Sequence, residues 1–384
     1  MGDPDSIDVP FAVPFTHRLR FTEDVLGADD RALLGLLEAA PGTPARVLAV
    51  VEAGIESASG VVQRLRSLAS RHADAVKLVD VRTLPGGEPV KKDPLAVLPV
   101  LEAIRDGNLD RRNYVLVIGG GALLDAVGVA AALAHRGVRL VRIPTTTMGQ
   151  ADSGIGVKNA INFFGRKNWI GTFAVPWAVI NDAALLATLP DRDFRCGFAE
   201  AVKVSLLKEP AFFDRLCADA GRIARRDRAA SDFAIRRSAY WHLTHITRGG
   251  DPFETREARP LDFGHWSAHR LEAMTDFEVR HGEAVAIGLA IDCAYSRMVH
   301  GLPRESERRV VRCLADLRLP LHHPALGDAE ALLGGLEEFR QHLGGRLTVT
   351  MLRDVGQPID VHEIDRAVMR RAIESVGAAA ASPA

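Results

Sequence analysis

Cysteine is scarce in this sequence, and what there is lies dispersed. Cys196, Cys217, Cys293 and Cys313 are the only four, with no C-x-x-C pair among them. Such spacing does not read as a disulfide framework, and it suits reduced thiols in the cytoplasm. An excess of charge of one sign is also missing. The 48 Lys and Arg are matched by 49 Asp and Glu, for a formal net charge of −1. That balance gives no bulk attraction to nucleic acid or to an anionic membrane, so an anionic substrate must be held by a local cluster of cations. No apolar run reaches the roughly 18 residues a membrane helix needs, and there is no internal repeat. The opening MGDPDSIDVPFAVPF is acidic and broken by proline, unlike a secretory signal. MGDPDS superficially fits a myristoylation pattern, but Pro4 and the enzyme-like remainder argue against it. The tail GAAAASPA is of low complexity and is expected to be disordered.

What is present suits a soluble globular protein: 384 residues, 47% hydrophobic and 25% charged. That length can hold two domains with sizeable cores. FTHRLRFTEDVLG looks like a strand and turn, and RVLAVVEAG like a buried strand ending in Glu52. SGVVQRLRSLASRHA has apolar residues at helical spacing. VKLVDVRTL is a strand, and PGGEPVKKD a turn opening the helix PLAVLPVLEAIRDG. YVLVIGGGALLDAVGVAAALAHRG reads as strand, glycine turn and helix, and VRLVRIPTTTMGQADSG as strand and polar loop. Strands alternating with helices predict a parallel sheet covered on both faces. The alternation fades near residue 185, and the rest is helical apart from the strand-like RLTVTML. We therefore expect an α/β domain over 1–182 and a mainly α-helical domain over 183–384. A cleft between such domains is a usual place for an active site.

The chemistry concentrates in residues 248–291. His265 and His269 are four apart and share one face of a helix. His281 opens HGEAV, the entry to a second, Ala-rich helix. Imidazoles from two neighbouring helices can bind one metal if a third ligand joins them. Glu200, in GFAEAVK, is the candidate. Taken singly, these read more readily as ordinary surface or core histidines. Glu200 and Lys203 could be a solvated helix pair, Asp152 and Lys158 a surface pair, and Arg136 a helix C-cap. It is the set that points to a site.

Gly119, Gly120 and Gly121 follow an apolar strand and precede a helix. Glycines there let the backbone approach a diphosphate at a helix N-terminus. A tight turn is the plainer alternative, because the spacing is not G-x-G-x-x-G and the acid suited to a ribose, Glu52, lies upstream. A carboxylate there favours NAD over NADP. Thr145 and Thr146 offer hydroxyls to the same ligand.

Together, PGGEPVK, GGGALLD, RGVRLVRIPTTTMGQADSGIGVKNAINFFGRKN, GFAEAVK, DPFE, DFGHWSAH and RHGEAVAIG resemble the sugar phosphate cyclases. This is the superfamily of 3-dehydroquinate synthase and the C7-cyclitol synthases, and the resemblance spans roughly residues 80–350. It implies an N-terminal Rossmann-like NAD-binding α/β domain and a mainly α-helical C-terminal metal-binding domain, in a cytoplasmic homodimer. It implies that Glu200, His265 and His281 bind zinc, or cobalt as a common substitute. Asp152, Lys158, Lys203, Glu254, Asn168 and His269 match positions lining the substrate site. Arg136 matches an arginine that reaches the phosphate in the neighbouring subunit. Glu52, Glu88, Lys91, Gly120, Gly121, Asp125, Thr145, Thr146, Thr188 and Leu189 match NAD contacts, with Lys167 beside them as a further cation. The implied reaction is transient oxidation, phosphate elimination, reduction and intramolecular aldol closure, a lyase-type cyclisation without net NAD consumption.

The chain departs from dehydroquinate synthase at the carboxylate clamp. The lysine position holds Thr244 and the arginine position Ala258, with Arg259 one place off. A buried carboxylate without a cation is costly, which disfavours the keto-acid phosphate of that enzyme. Asp262 replaces an asparagine, and EFRQHLGGRLTV, with Arg340 and His342, replaces a lysine-containing stretch. These changes resemble cyclases of sedoheptulose 7-phosphate, whereas His269 and the Lys167–Asn168 pair resemble dehydroquinate synthase. We expect a 2-epi-5-epi-valiolone or 2-epi-valiolone type synthase from a separate branch, as in secondary metabolism. A divergent dehydroquinate synthase, a metal-dependent polyol dehydrogenase of the same fold and a catalytically dead binding protein are the alternatives.

Overall fold

The computed structural model describes residues 7–92, 94–164, 166–254, 261–342 and 345–379. Its strands are β1 (Leu19–Thr22), β2 (Ala45–Glu52), β3 (Val76–Leu84), β4 (Tyr114–Gly119), β5 (Arg139–Pro144) and, after a hairpin of β6 (Lys158–Phe163) and β7 (Arg166–Phe173), β8 (Ala178–Asp182). Six of them form one sheet in the order β1-β8-β5-β4-β2-β3, and every pairing is parallel. Strand periodicity decides the layers. Val47, Ala49 and Val51 enter one core with Val61, Leu65 and Leu68 of α1 (Val61–Arg71). Leu48 and Val50 enter the opposite core with α2 (Leu98–Asp106) and α3 (Gly121–Leu133). Both faces are thus covered, as the near-continuous apolar strands predict.

β2 has β3 on one side and β4 on the other. The chain therefore changes direction across the sheet at that point. Ligands of open α/β sheets bind at such reversals, beyond the carboxyl ends of the strands. Glu52 ends β2 and Gly119 ends β4, so both stand at this crevice.

The C-terminal region packs helices around an extensive apolar core. Those that matter for the site are α4 (Asp191–Lys208), α5 (Pro210–Ala224), α6 (Arg228–Arg248), α7 (His265–Met274) and α8 (His281–Val299). Two glycine contacts set how closely they approach. A Cβ on Gly282 would lie 2.1 Å from the Cys196 carbonyl oxygen, so α8 meets α4 backbone to backbone. A Cβ on Gly288 would lie 2.1 Å from the carbonyl oxygen of Gly264, itself in the left-handed region at φ +78°. The start of α7 therefore rests directly on α8. His281 adjoins the first contact, His265 adjoins the second, and Glu200 lies one turn beyond Cys196.

The fold differs from expectation in several places. The helix expected over PLAVLPVLEAIRDG is split into a turn at Pro94–Val97 and α2, since Pro94 and Pro99 bring no N–H to a continuous ladder. The polar loop after β5 contains a π-helical turn, Gly149–Ser153, and leads into the β6–β7 hairpin. RLTVTML contributes to β9 (Val349–Asp354), which pairs with an unforeseen β10 (Gln357–Val361). Gly377–Ala379, at the start of the tail expected to be disordered, end a helix over Arg366–Ala379. Residues 380–384 lie outside the described residues.

Replacing Gly282 by Ala forces backbone apart and is expected to lower unfolding stability in urea by about 2 kcal/mol or more. Gly327→Ala, where a Cβ meets nothing among the described residues within 4 Å, should stay within about 0.5 kcal/mol of the parent.

Candidate active site

Glu200 has no exposed surface, and among the described residues neither carboxylate oxygen has an aligned hydrogen-bond donor. His265 Nε2 and His281 Nε2 each lie 3.5 Å from its Oε1. The other ring nitrogens are engaged. His265 Nδ1 lies 3.1 Å from Phe263 O, and His281 Nδ1 lies 3.0 Å from Glu272 Oε2. Carbonyl and carboxylate oxygens only accept, so each Nδ1 donates. In the neutral ring, each Nε2 is then a lone pair aimed at Glu200, the usual second-sphere arrangement around a metal-ligating histidine. One carboxylate and two imidazoles on rigid helices fit a zinc-type ion with coordination positions left open. His269 brings a third ring, and the nearest nitrogens of His265, His269 and His281 lie within 4.8 Å of one another. Burial, then the neighbouring His265, holds His269 well below the ordinary histidine value.

The surrounding charges alternate. Burial alone would raise the Glu200 carboxyl, but Lys203 and His265 outweigh it and keep the group well below the ordinary range. Lys203 Nζ sits 2.5 Å from Glu200 Oε2 and 3.9 Å from Asp152 Oδ2. Burial opposes the Lys203 charge, and Glu200 and Asp152 overcome that opposition. Asp152 lies in the π-helical turn, and its Oδ1 is 2.9 Å from His242 Nε2. Lys158, at the start of β6, pairs with Glu254. The fully buried Arg142 on β5 holds this stretch, donating to the carbonyl oxygens of Gly154, Gly156 and Lys158 at 3.2, 2.8 and 3.2 Å.

At the crevice, Gly120 N donates to Glu52 Oε2 at 2.6 Å, and Gly121 opens α3. Thr145 N donates to Gly119 O at 3.0 Å, and Thr146 Oγ1 accepts from Gly149 N at 2.9 Å. The buried Lys91 donates to Asp125 Oδ2 at 2.8 Å and to Asn168 Oδ1 at 2.6 Å. Asn162 Nδ2 donates to Glu88 Oε2 at 3.0 Å. Lys167 Nζ is 2.7 Å from Glu272 and 3.7 Å from Glu88. Glu88, Lys167, Glu272 and His281 thus form one chain of alternating charge from the crevice to the histidines.

Several predicted residues are not gathered here. Arg136 is exposed beyond the far end of α3, whose 13 residues correspond to about 20 Å. Thr188 is exposed in the connection to α4, and Leu189 packs against the helical core. Asp262, by contrast, does stand beside the site: it is half-buried, its carbonyl accepts from His265 N at 3.0 Å, and its charge helps to keep Lys203 protonated. Arg340 pairs with Glu337 at 2.6 Å. Ala258 and Arg259 lie outside the described residues, as does the His342 side chain. Sequence reasoning missed Glu272 and His242. Glu272 was findable, being three residues after His269 and seven after His265 on one helix face. No spacing marks His242.

Family models for the 3-dehydroquinate synthase N-terminal and C-terminal regions match residues 81–196 and 197–338. The chain belongs to the 3-dehydroquinate synthase family. The 3-dehydroquinate synthase of Halorhodospira halophila is 36% identical over 261 residues, covering 68% of this chain and 73% of that one. The same enzyme of Rhodopseudomonas palustris strain TIE-1 is 31% identical over 382 residues, covering 96% and 97%. ValA, a 2-epi-5-epi-valiolone synthase from Streptomyces hygroscopicus subsp. jinggangensis, was solved with NAD+ and Zn2+ bound. It superposes with a TM-score of 0.85 at 27% identity, over 96% of this chain and 99% of that one. The family and this likeness make the chain an enzyme of the sugar phosphate cyclase class.

Two outcomes follow for a metal bound here. Burial would lower His281, but Glu272 and Glu200 outweigh it and raise the metal-free imidazolium to about 9. At neutral pH a metal must displace that proton. Apparent zinc affinity, measured by chelator competition, should therefore climb by about tenfold per pH unit and level off as pH passes the His281 value. Glu272→Gln removes the acceptor that orients His281 and should weaken zinc binding by about 10- to 100-fold in the same assay.

Proposed function

We propose that the protein is an NAD- and metal-dependent cyclase that converts a heptulose phosphate, sedoheptulose 7-phosphate, to a C7 cyclitol of the 2-epi-5-epi-valiolone or 2-epi-valiolone type, with loss of phosphate. It would be a carbon–oxygen lyase. The observation that carries this reading is the fully buried Glu200 facing His265 and His281, with Lys203 against it. We place the NAD-binding unit at 1–182 and the metal and substrate unit at 183–384.

Glu200, His265 and His281 would hold zinc or cobalt, and the crevice from Glu52 to Gly120 and Gly121 would hold NAD. When bound, these groups supply Lewis acidity and a reversible hydride acceptor. The chain's own residues do the rest. Lys203 and Lys158 offer cations to the phosphate, and the substrate's phosphate serves as its own proton acceptor. Asp152, Asn168, Glu254, His269 and Asp262 line the sugar. Lys167 and Glu272 keep His281 oriented. Arg136, remote from its own crevice, is suited to reach the site of a partner in a homodimer. Free thiols at all four cysteines fit a cytoplasmic enzyme, and we assign it to secondary metabolism.

Substrate choice rests on Thr244. It places a half-buried hydroxyl where the keto-acid enzymes carry a lysine. Beside it, burial and then Lys208 hold His245 below its ordinary value, which favours the uncharged ring at neutral pH. A substrate carboxylate buried there would lack its cation. The second reading, a divergent dehydroquinate synthase, is favoured by the names of the relatives and by the nearness of Lys208 to His245.

Phosphate release by the purified enzyme with NAD and Zn2+ or Co2+ separates the two. We expect release from sedoheptulose 7-phosphate, none from the keto-acid phosphate, and no net NADH. Release from the keto-acid phosphate would establish the second reading. Net NADH without phosphate would mark a dehydrogenase and contradict both.

A further inference from the structure

We propose that His242 is a positioning residue that fixes the Asp152 carboxylate beside Lys203. This rests on the cyclase reading only for the substrate used in its activity assay.

The turn that carries Asp152 is π-helical, a form found often at functional sites. Arg142 pins the residues that follow it from the sheet side. From the opposite side comes α6, where His242 is only 4% exposed. Its Nδ1 lies 3.0 Å from Ser238 O. A carbonyl only accepts, so Nδ1 carries a hydrogen. Its Nε2 lies 2.9 Å from Asp152 Oδ1, an ion-pair contact that is off the line of a hydrogen bond. A bare lone pair would be repelled by a carboxylate at that separation, so Nε2 carries a hydrogen as well. The ring is then a cation held between Ser238 and Asp152.

Asp152 therefore has a cation at each oxygen: His242 at Oδ1, and Lys203 3.9 Å from Oδ2. Lys203 is shared with Glu200 Oε2 at 2.5 Å. Without His242, Asp152 keeps one cation and turns toward it, competing with Glu200 for the same ammonium. A group on α6 thus governs a turn beyond the carboxyl end of β5 and a lysine on α4. The nearest ligand atoms of Asp152, Glu200 and His242 lie within 4.8 Å of one another, so a second metal ion is the competing use of this cluster. The Lys203 ammonium between Glu200 and Asp152 opposes it.

The test compares His242→Ala with His242→Gln, whose amide can still donate to Asp152. With the substrate the parent enzyme turns over, His242→Ala should lower kcat by about 10- to 100-fold, with one zinc per chain retained by elemental analysis. His242→Gln should recover most of the loss. In an Asp152→Asn background, His242→Ala should change kcat by less than about twofold, because its effect runs through Asp152. Crystal structures of the parent and His242→Ala read the Asp152–Lys203 separation whatever the substrate proves to be, and that separation should shorten. An unmoved Asp152, unchanged kcat, additive effects in the double variant, no rescue by Gln, or two metal ions in the parent and one in His242→Ala would each overturn the proposal.

Discussion

A carboxylate with no exposed surface has to be answered by positive charge, and Glu200 organises the protein around that requirement. Taking such a charge out of water costs several kcal/mol unless partners surround it. Lys203 answers it on one oxygen, and two imidazoles face the other. Each partner is answered in turn: Lys203 by Asp152, Asp152 by His242, His281 by Glu272, Glu272 by Lys167. Sign alternates along this chain from the cofactor crevice to α6. An arrangement so fully compensated holds its members in fixed geometry, which a metal site and a phosphate site both need.

The scaffold delivers these groups by two different means. The sheet does so through topology, because the reversal between β2 and β4 leaves a crevice at Glu52 and Gly120. The helices do so through missing side chains. Gly282 against Cys196, and Gly288 against Gly264, let α4, α7 and α8 touch at their backbones, and the three proposed ligands each lie within one turn of those contacts. The motif glycines therefore serve the proposed metal site through packing.

The layers and the grouping of Glu200 with His265 and His281 were legible in the sequence for physical reasons. β2 and β4 are continuous apolar runs bounded by turns, and His265 and His269 share a helical face. What stayed hidden was non-local or irregular. The π-helical turn has no periodic signature, and β10 is a short polar strand whose partner alone defines it. His242 looks like any helix histidine until Asp152 arrives from 90 residues upstream. Glu272 was within reach of the same spacing argument that joined the histidines. Lys203 and Glu200 illustrate the converse, since their i,i+3 spacing reads equally as a solvated pair, and only burial gives it another meaning. Arg136 lies exposed, far from the crevice of its own chain.

The central claim is that the buried charge at Glu200 exists to bind a metal together with His265 and His281. Anomalous diffraction at the zinc edge, from crystals grown with Zn2+, tests it most directly. The account predicts one strong peak bounded by Glu200, His265 Nε2 and His281 Nε2. A peak elsewhere, or none at this site while the protein is folded and Lys203 still neutralises Glu200, would contradict it.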